Sequence, residues 1–211
     1  MISQTSSIIV YSAVTEGYDN GKLKLVPEDD VHAETRIPPE GIQPGREAML
    51  WNREQKLRLP PKNGLASVYL DGSFTPKSKW RESVEKWLDK ADIALFKHPW
   101  RTCAYAEIDE CVKRGKITAD EGDKARSHLM LAGFPRDFGL WALGMIARRT
   151  HANAIQQFAM PLVWTYVAMV PRDQIWFPFV IWKLRHSKDR IHTIEKDIYN
   201  NKLISFRPHG K

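Results

Sequence analysis

A carboxylate that directly follows a short apolar run is the feature of this sequence best suited to chemistry. Residues 66–74 read Ala-Ser-Val-Tyr-Leu-Asp-Gly-Ser-Phe, which predicts a buried strand that ends at Asp71, with a glycine next to it that lets a ligand approach closely. In open α/β sheets, ligands bind beyond the carboxyl ends of the strands. There Asp71 could hold Mg²⁺ or Mn²⁺ against a diphosphate, because both cations accept oxygen ligands. The alternative is that Asp-Gly only makes a turn.

Basic residues follow two further apolar runs. Lys97, His98 and Arg101 come after the run at 91–96, where they could contact a phosphate or an acceptor, although a histidine is often structural. Arg148 and Arg149 end the run at 140–147. One of these two arginines could bind a diphosphate through both arms of its guanidinium group, and the other is expected to be solvated.

The elements that must position these residues alternate along the chain between strands and helices. A Thr118–Glu121 capping box is predicted at the start of one helix. This alternation predicts an α/β chain with a mostly parallel sheet. Strands are predicted at 7–14, 31–37, 66–70, 91–96 and 140–147, helices at 79–90, 103–114, 118–132 and 151–170, an amphipathic segment at 46–59 and a core segment at 175–184.

Composition limits the class of protein. The 211 residues suit one domain, and the 43% hydrophobic content, with 8 Trp and 8 Phe, allows a substantial core. No run of about 18 apolar residues occurs, so no transmembrane helix is expected, and the first residues lack the positive region of a signal peptide. Cys103 and Cys111 are eight residues apart in a predicted helix, or about 12 Å, which is too far for a disulfide. A reducing cytoplasm is therefore the expected location.

The charge of the chain favours anionic partners. The net charge is +7 and the pI is about 9.4, which suits nucleotide phosphates, nucleic acid or anionic glycans. The positive residues are spread along the chain, so a solvated basic surface is the alternative explanation.

Several motifs, in the same order along nearly the whole chain, resemble one family. With them, the sequence resembles the small GT-A-like glycosyltransferases of plants and bacteria that were formerly catalogued as a domain of unknown function. It is distantly similar to retaining sugar-nucleotide transferases of the glycogenin and bacterial galactosyltransferase type. The motifs are Val-Tyr-Ser-Ala-Val at 10–14 with Gly-Tyr-Asp at 17–19, Tyr-Leu-Asp-Gly-Ser at 69–73, Lys-His-Pro-Trp-Arg-Thr-Cys-Ala-Tyr at 97–105 with Glu107 and Cys111, Gly-Phe-Pro at 133–135, Gly-Leu at 139–140 with Arg-Arg at 148–149, Arg-Asp-Gln at 172–174, Phe-Pro at 177–178 and Trp-Lys-Leu at 182–184.

The resemblance implies a fold and an activity. The fold is a single GT-A-like domain over 1–211, a Rossmann-like nucleotide-diphospho-sugar transferase with a mostly parallel mixed sheet flanked by helices. About 1–100 would form the nucleotide half, and about 101–211 the acceptor half and C-terminal tail. The activity is a metal-dependent, retaining glycosyltransferase, in which a nucleotide-diphosphate sugar such as a UDP-sugar donates to a glycan, a lipid-linked sugar or another hydroxyl acceptor.

The resemblance also implies a Mn²⁺ or Mg²⁺ site. Relatives bind the metal through Asp-x-Asp, but this chain has Ser73 in place of the second acid, and a hydroxyl is a weaker ligand than a carboxylate. His209 and Lys211 are similar to a C-terminal motif in which the histidine binds the metal and the lysine the diphosphate. The alternative is that residues 209–211 are a solvated tail.

Asp173 and Gln174 match the pair that related enzymes place beside the anomeric carbon. The resemblance makes them catalytic, by stabilising an oxocarbenium-like transition state or by orienting the donor sugar, with Arg172 in contact with substrate. The alternative for Asp173 is a helix N-cap, and both roles are compatible. The resemblance also assigns nucleobase and ribose recognition to Tyr11, Thr15 and Asp19.

Two rival functions fit the same sequence. The positive charge permits a glycosyltransferase that acts on hydroxylated DNA bases, as some phage enzymes do, and such an enzyme must gain access to the base. The departure at Ser73 instead favours a non-catalytic module that kept the fold and binds an anionic polymer.

Overall fold

The structure, a computed structural model, describes residues 8–15, 31–58, 66–77, 80–150, 159–185 and 190–207. Six of its strands form one sheet in the order β2-β1-β3-β6-β5-β7, and two short strands, β4 and β8, pair separately. The strands are β1 (Ile8–Ala13), β2 (Val31–Arg36), β3 (Ala66–Leu70), β4 (Phe74–Pro76), β5 (Ile93–Lys97), β6 (Trp141–Arg149), β7 (Ile191–Ile194) and β8 (Ile204–Phe206). The helices are α1 (Arg46–Leu57), α2 (Trp80–Leu88), α3 (Ala104–Lys113), α4 (Ala119–Leu131), α5 (Met160–Met169) and α6 (Asp173–Lys183).

The predicted fold class, an α/β domain with a mostly parallel mixed sheet flanked by helices, is confirmed. β1 pairs in parallel with β2 and β3, β5 pairs in parallel with β7, and β6 alone in the sheet runs antiparallel to both of its neighbours. Every residue of β1 and β3 is buried, as expected for central strands covered by helices on both faces. The predicted boundary between the two halves, near residue 100, falls between β5 and α3.

The two faces of the sheet carry separate hydrophobic clusters. Because side chains alternate along a strand, Tyr69 points into one cluster while Val68 and Leu70 point into the other. The Tyr69 face is covered by α1, α3, α4, α5 and α6, with Trp176 and Phe179 fully buried there. The opposite face is covered by α2.

The antiparallel direction of β6 decides which residues can meet. β1, β3, β5 and β7 all end at one edge of the sheet, called the carboxyl edge below. β6 begins there, because Trp141 pairs with Lys97 at the end of β5. It finishes at the other edge, where Arg149 pairs with Ala66 at the start of β3. Arg148 and Arg149 therefore lie at the opposite end of the strands from the carboxyl edge.

Most helix predictions hold to within two residues. The predicted capping box is present at the start of α4, where the Glu121 N–H donates to Thr118 Oγ1 (3.2 Å) and the Thr118 N–H donates to Glu121 Oε2 (2.9 Å). The helix predicted at 151–170 is observed as α5, and residues 151–158 lie outside the described part of the chain. Cys103 and Cys111 are free, as predicted.

The last part of the chain adds elements that the sequence did not predict. β7 extends the sheet beside β5, and β8 pairs antiparallel with β4, so that Phe206 lies opposite Phe74. Within the described ranges, no helix has the length and apolar character needed to cross a membrane. The cytoplasmic location stays a prediction.

Candidate active site

Asp71 leaves β3 at the carboxyl edge, as predicted. Its N–H donates to the carbonyl of Gly144 on β6 (2.8 Å), and its own carbonyl accepts from the Phe74 N–H (2.9 Å). The Asp-Gly turn is therefore real, and it leads directly into β4. The carboxylate remains about one-third exposed, at 33%. The Tyr69 hydroxyl donates to its Oδ1 (2.9 Å), which orients the carboxylate.

A polar face of α1 lies over the ends of β1 and β3. Lys56 shares this face with Asn52 and Arg53 because it follows them by four and three residues. Asn52 Nδ2 donates to the carbonyl of Ala13, the last residue of β1 (2.7 Å). Asn52 Oδ1 lies 3.2 Å from the Tyr69 hydroxyl, so that one side chain ties α1 to both strands.

Lys56 connects the two acids that the sequence singled out. Its Nζ lies 2.8 Å from Asp173 Oδ2 and 3.4 Å from Asp71 Oδ1, and its side chain is only 3% exposed. Arg53 Nε lies 3.3 Å from Asp173 Oδ1. Asp173 and Asp71 are thus held on one buried ammonium group at the carboxyl edge.

The charge state of Asp173 follows from these contacts. Burial alone would raise the pKa of its carboxyl, but the Lys56 ammonium and the Arg53 guanidinium outweigh burial and hold the pKa well below its usual range. Asp173 is therefore ionised at neutral pH. Burial, together with the neighbouring Asp71 charge, raises the pKa of Tyr69 well above its usual value, so Tyr69 keeps its proton.

Asp173 is not the N-cap of α6. The N-cap is Arg172, and Asp173 is the first helical residue, where its charge also suits the positive end of the helix. Arg172 Nη2 donates to the carbonyl of Lys116 (3.4 Å). Burial and the nearby Arg53 charge lower the pKa of Arg172, and burial and Arg172 lower that of Lys116. Positive charge is concentrated here, which favours an anionic ligand.

A second buried cluster stands after β5. Glu107, in the first turn of α3, accepts from Arg101 Nε (2.5 Å) and lies 3.7 Å from His98 Nε2. His98 Nδ1 accepts the N–H of Arg101 (3.1 Å) and lies within 3.4 Å of the Trp100 N. Burial lowers the pKa of His98, which is consistent with a neutral ring that accepts at Nδ1. His98 and Arg101, predicted to bind substrate, are engaged in holding this loop.

The remaining described candidates lie around this centre. Thr15 follows β1 at the carboxyl edge and is half-buried. Ser73 is 5% exposed, and its carbonyl accepts from the Arg207 N–H (2.8 Å). Gln174 is half-buried in the first turn of α6. Lys97 is half-exposed and pairs with Glu195 after β7 (3.0 Å).

Arg148 and Tyr11, both predicted to bind ligand, are fully buried in the protein interior. Arg148 is fully buried, its Nη2 donates to the Tyr11 hydroxyl and to the Lys56 carbonyl (3.1 Å), and burial lowers its pKa to about 9. Tyr11 is fully buried as well and packs edge-on against Tyr69. In this conformation neither a diphosphate nor a nucleobase can reach them. The expectation that the other arginine is solvated is not met, because Arg149 donates to the carbonyls of Leu88 and Asp89 at the end of α2.

Three predicted residues lie outside the described part of the chain: the metal ligand His209, the diphosphate ligand Lys211 and Asp19, assigned to the nucleoside. Within the described ranges, no three His, Cys, Asp or Glu side chains are grouped so that they could hold a metal ion. Asp71 Oδ1 already accepts from Tyr69, whereas Oδ2 faces the backbone of Gly144, 3.3 Å from where a Cβ would lie. One carboxylate suits a cation that takes its other ligands from a substrate diphosphate.

Comparison with known proteins gives structural similarities only. No protein-family model and no curated protein sequence matches the chain, so the resemblance to the particular plant and bacterial family stays a prediction. Three solved glycosyltransferases are similar: one involved in glycosylation of the major capsid of PBCV-1 (7% identity, TM-score 0.44, covering 90% of this chain and 81% of that one), mouse xyloside xylosyltransferase 1 (12%, 0.43, 89% and 85%) and bifunctional WbbM (11%, 0.48, 92% and 39%). This chain thus spans well under half of WbbM. Such TM-scores are too low to carry an argument about function.

Sequence reasoning missed the residues of α1. The spacing of Asn52, Arg53 and Lys56 does mark one polar helix face, but such a face is usually solvated. Burial of Lys56 follows from how α1 packs over β1 and β3, which no local pattern reveals.

Proposed function

We propose that this protein is a glycosyltransferase that moves a sugar from a nucleoside-diphosphate donor to a hydroxyl acceptor. The observation that carries the proposal is the bridge made by Lys56 between Asp71 and Asp173 at the carboxyl edge of a mostly parallel sheet. Ligands of such sheets bind at this edge. The acids and the surrounding cations are the groups needed to hold a sugar and a diphosphate, and the ordered motifs point to the same chemistry.

The residues divide the task by charge. Arg53 and Arg172, with Lys116, supply positive charge for a diphosphate. Asp173 is 2% exposed, so it acts as a positioning residue that holds Lys56 against Asp71 and keeps a fixed negative charge near the reacting carbon. Gln174, in the same turn of α6, is proposed to orient the donor sugar.

The transfer balances without any further reactant. The acceptor oxygen forms a bond to the anomeric carbon, and the bond from that carbon to the diphosphate oxygen breaks, with its electron pair leaving on the diphosphate. The acceptor proton is taken up by an oxygen of the departing diphosphate. Retention of configuration is proposed from the resemblance alone.

A divalent cation at Asp71 is part of the proposal, and the one-third exposure of this carboxylate supports it. Asp71, with the diphosphate and the more weakly binding Ser73, would hold Mn²⁺ or Mg²⁺, with His209 as the proposed third protein ligand. When bound, the cation would neutralise negative charge on the leaving group.

The test is a thermal-shift screen of UDP-, GDP-, CDP- and ADP-sugars, each with and without Mn²⁺. A ligand that binds the native state raises its melting temperature by mass action. We expect one nucleotide family to raise it in a cation-dependent manner, and Asp71→Asn to abolish that rise. The matched control is Asp109→Asn, which removes the same charge from an exposed residue of α3 that pairs with Arg126.

The outcomes separate the rival functions. A cation-dependent rise that survives in Asp71→Asn would remove Asp71 from the site. No rise with any donor, together with binding of an anionic glycan, would favour the non-catalytic module. The described residues include no feature that favours a DNA acceptor.

A further inference from the structure

Two exposed aromatic rings stack on each other beside the candidate active site. Trp100, in the loop after β5, and Tyr199, in the turn after β7, have ring centroids 5.1 Å apart and planes only 12° from parallel. Trp100 is 60% exposed and Tyr199 38%. Single exposed aromatic residues are unremarkable, but a stacked pair in which the indole stays mostly exposed is a surface suited to a ring-shaped ligand.

The pair stands on a fixed base. The Tyr199 ring packs edge-on against Phe206 (4.7 Å between centroids) and lies 5.9 Å from Phe74, so that β4 and β8 support it from below. The backbone N–H of Tyr199 donates to Asp197 Oδ1 (2.9 Å). On the other side, the loop that carries Trp100 is held by His98. A surface built in this way loses little conformational freedom when a ligand binds.

The stack lies next to the Asp71 carboxylate. A Cβ placed on Gly144 would lie 2.6 Å from the Phe74 ring, 3.3 Å from Asp71 Oδ2 and 3.3 Å from the side chain of Ile198. The Asp71 carboxylate, the Phe74 ring under the stack and the turn that carries Tyr199 thus meet at one backbone position. In agreement, the pKa of Tyr199 is raised by burial and by the charge of Asp71.

The strand order tells which ligand this surface faces. From β3 and Asp71, β1 and its Thr15 lie on one side, whereas β6, β5 and β7 lie on the other. Trp100 and Tyr199 follow β5 and β7. The resemblance assigns the donor nucleoside to the end of β1, and the stack lies on the opposite side of Asp71, which leaves that side for an acceptor.

We propose that Trp100 and Tyr199 form an acceptor platform, on which a pyranose ring of the acceptor stacks with its hydroxyl directed towards Asp71. The proposal rests on the proposed glycosyltransferase function and narrows its acceptor to a carbohydrate. A pyranose ring has an apolar face of C–H groups that packs on an indole ring, where water is released from both surfaces. The guanidinium carbon of Arg101 lies over the Trp100 ring, 5.9 Å from its centroid, so Arg101 borders the platform.

The experiment measures two kinds of binding on the same variants. Saturation-transfer NMR with methyl glucosides, galactosides, xylosides, mannosides and galacturonides reports on the platform, and the nucleotide thermal shift with Mn²⁺ reports on the donor side. Trp100→Ala should weaken the best pyranoside about tenfold, the loss expected when a stacked ring is removed. Trp100→Phe should retain most of the binding. Because Trp100 is mostly exposed, its replacement leaves the core intact.

The control is Trp87→Phe, at a tryptophan that packs against Phe96 and His192 on the face covered by α2. It should bind pyranosides and nucleotides as the unaltered protein does. If Trp100→Ala abolishes nucleotide binding instead, the platform holds the nucleoside and the proposal is wrong. If pyranosides do not bind, or bind equally to Trp100→Ala, the platform is refuted while nucleotide binding leaves the transferase intact. If the unaltered protein binds no nucleotide, the proposed transferase function is contradicted, and the acceptor platform that rests on it is contradicted as well.

Discussion

Two buried carboxylates at the carboxyl edge, Asp173 and Glu107, are built alike and serve different ends. Each lies in the first turn of a helix, and each is held by basic side chains: Asp173 by Lys56 and Arg53, Glu107 by Arg101 and, at 3.7 Å, His98. They differ in the second contact that the basic side chain makes. Lys56 also contacts Asp71, a carboxylate that is one-third exposed. His98, as a neutral ring, accepts from the backbone N–H groups of the loop at 100–101.

The role of a buried ion pair depends on the groups that it contacts next. Buried pairs are poor indicators of added stability, because the cost of desolvation offsets the attraction between the charges. The Asp173 cluster ends at Asp71, a partly exposed carboxylate, and this is why we propose a chemical function for it. The Glu107 cluster ends at main-chain N–H groups, so its function is to shape the loop that carries Trp100. The charge of Arg172 acts on both clusters.

The largest expected effect is that of Lys56→Met. The change leaves Asp173 buried with Arg53 as its remaining cationic contact among the described residues, and removal of one partner from a buried pair costs about 3–5 kcal/mol. Urea unfolding should show this loss, and the cation-dependent nucleotide shift should disappear. Lys56→Met combined with Asp173→Asn should recover part of the stability and none of the nucleotide binding. A single variant as stable as the unaltered protein would contradict the assigned bridge.

A smaller effect is expected for Glu107→Gln in the other cluster. Arg101 loses its carboxylate partner but is 18% exposed and can turn towards water, so the expected loss is about 1 kcal/mol, at the low end for an unpaired group. Nucleotide binding should be unchanged, whereas pyranoside binding should weaken because the Trp100 loop is less well held. If Glu107→Gln instead abolishes nucleotide binding, the two clusters do not have separate functions.

The smallest expected effect is a pH dependence that distinguishes the clusters. The pKa of His98 is lower in the folded protein than in the unfolded chain, where it is about 6.5. The unfolded chain therefore binds more protons between these two values, so this contribution to stability is present above about pH 6.5 and is lost as the pH falls through the folded pKa. The pKa of Asp173 is also lowered, and its contribution is lost only below the unfolded value of about 3.9.

The measurement is the free energy of unfolding between about pH 7 and pH 5, a range in which His98 titrates and Asp173 does not. His98→Gln should lose less stability over this range than the unaltered protein, because the amide oxygen still accepts from the loop. Burial also lowers the pKa of His128 and His192, so the decline should shrink in the variant without vanishing. Equal declines in both proteins would show that His98 is not the sensitive group.

Local patterns were enough for much of the fold. Five of the six strands in the main sheet, the capping box at Thr118 and the helices α2, α3 and α4 follow from apolar periodicity and capping, which act within a few residues. The short strands β4, β7 and β8 escaped prediction, because three or four residues give too little periodicity and pairing with a distant strand decides them. The direction of β6 in the sheet was not predictable either, because the same apolar run fits a parallel or an antiparallel strand. Its antiparallel pairing places Arg148 away from the predicted site.

The α/β class and the position of Asp71 after a buried strand follow from the sequence, because each depends on residue types and short-range spacing, whereas the resemblance alone singled out Asp173. The contact of Lys56 with both acids, the loop held by His98 and the stacking of Trp100 on Tyr199 follow only from the packing of the folded chain. Those contacts join residues far apart in the chain, and the same side chains would be solvated in any other arrangement. The alternation of apolar residues is a local signal. The distances between site residues, in contrast, depend on how the helices pack on the sheet.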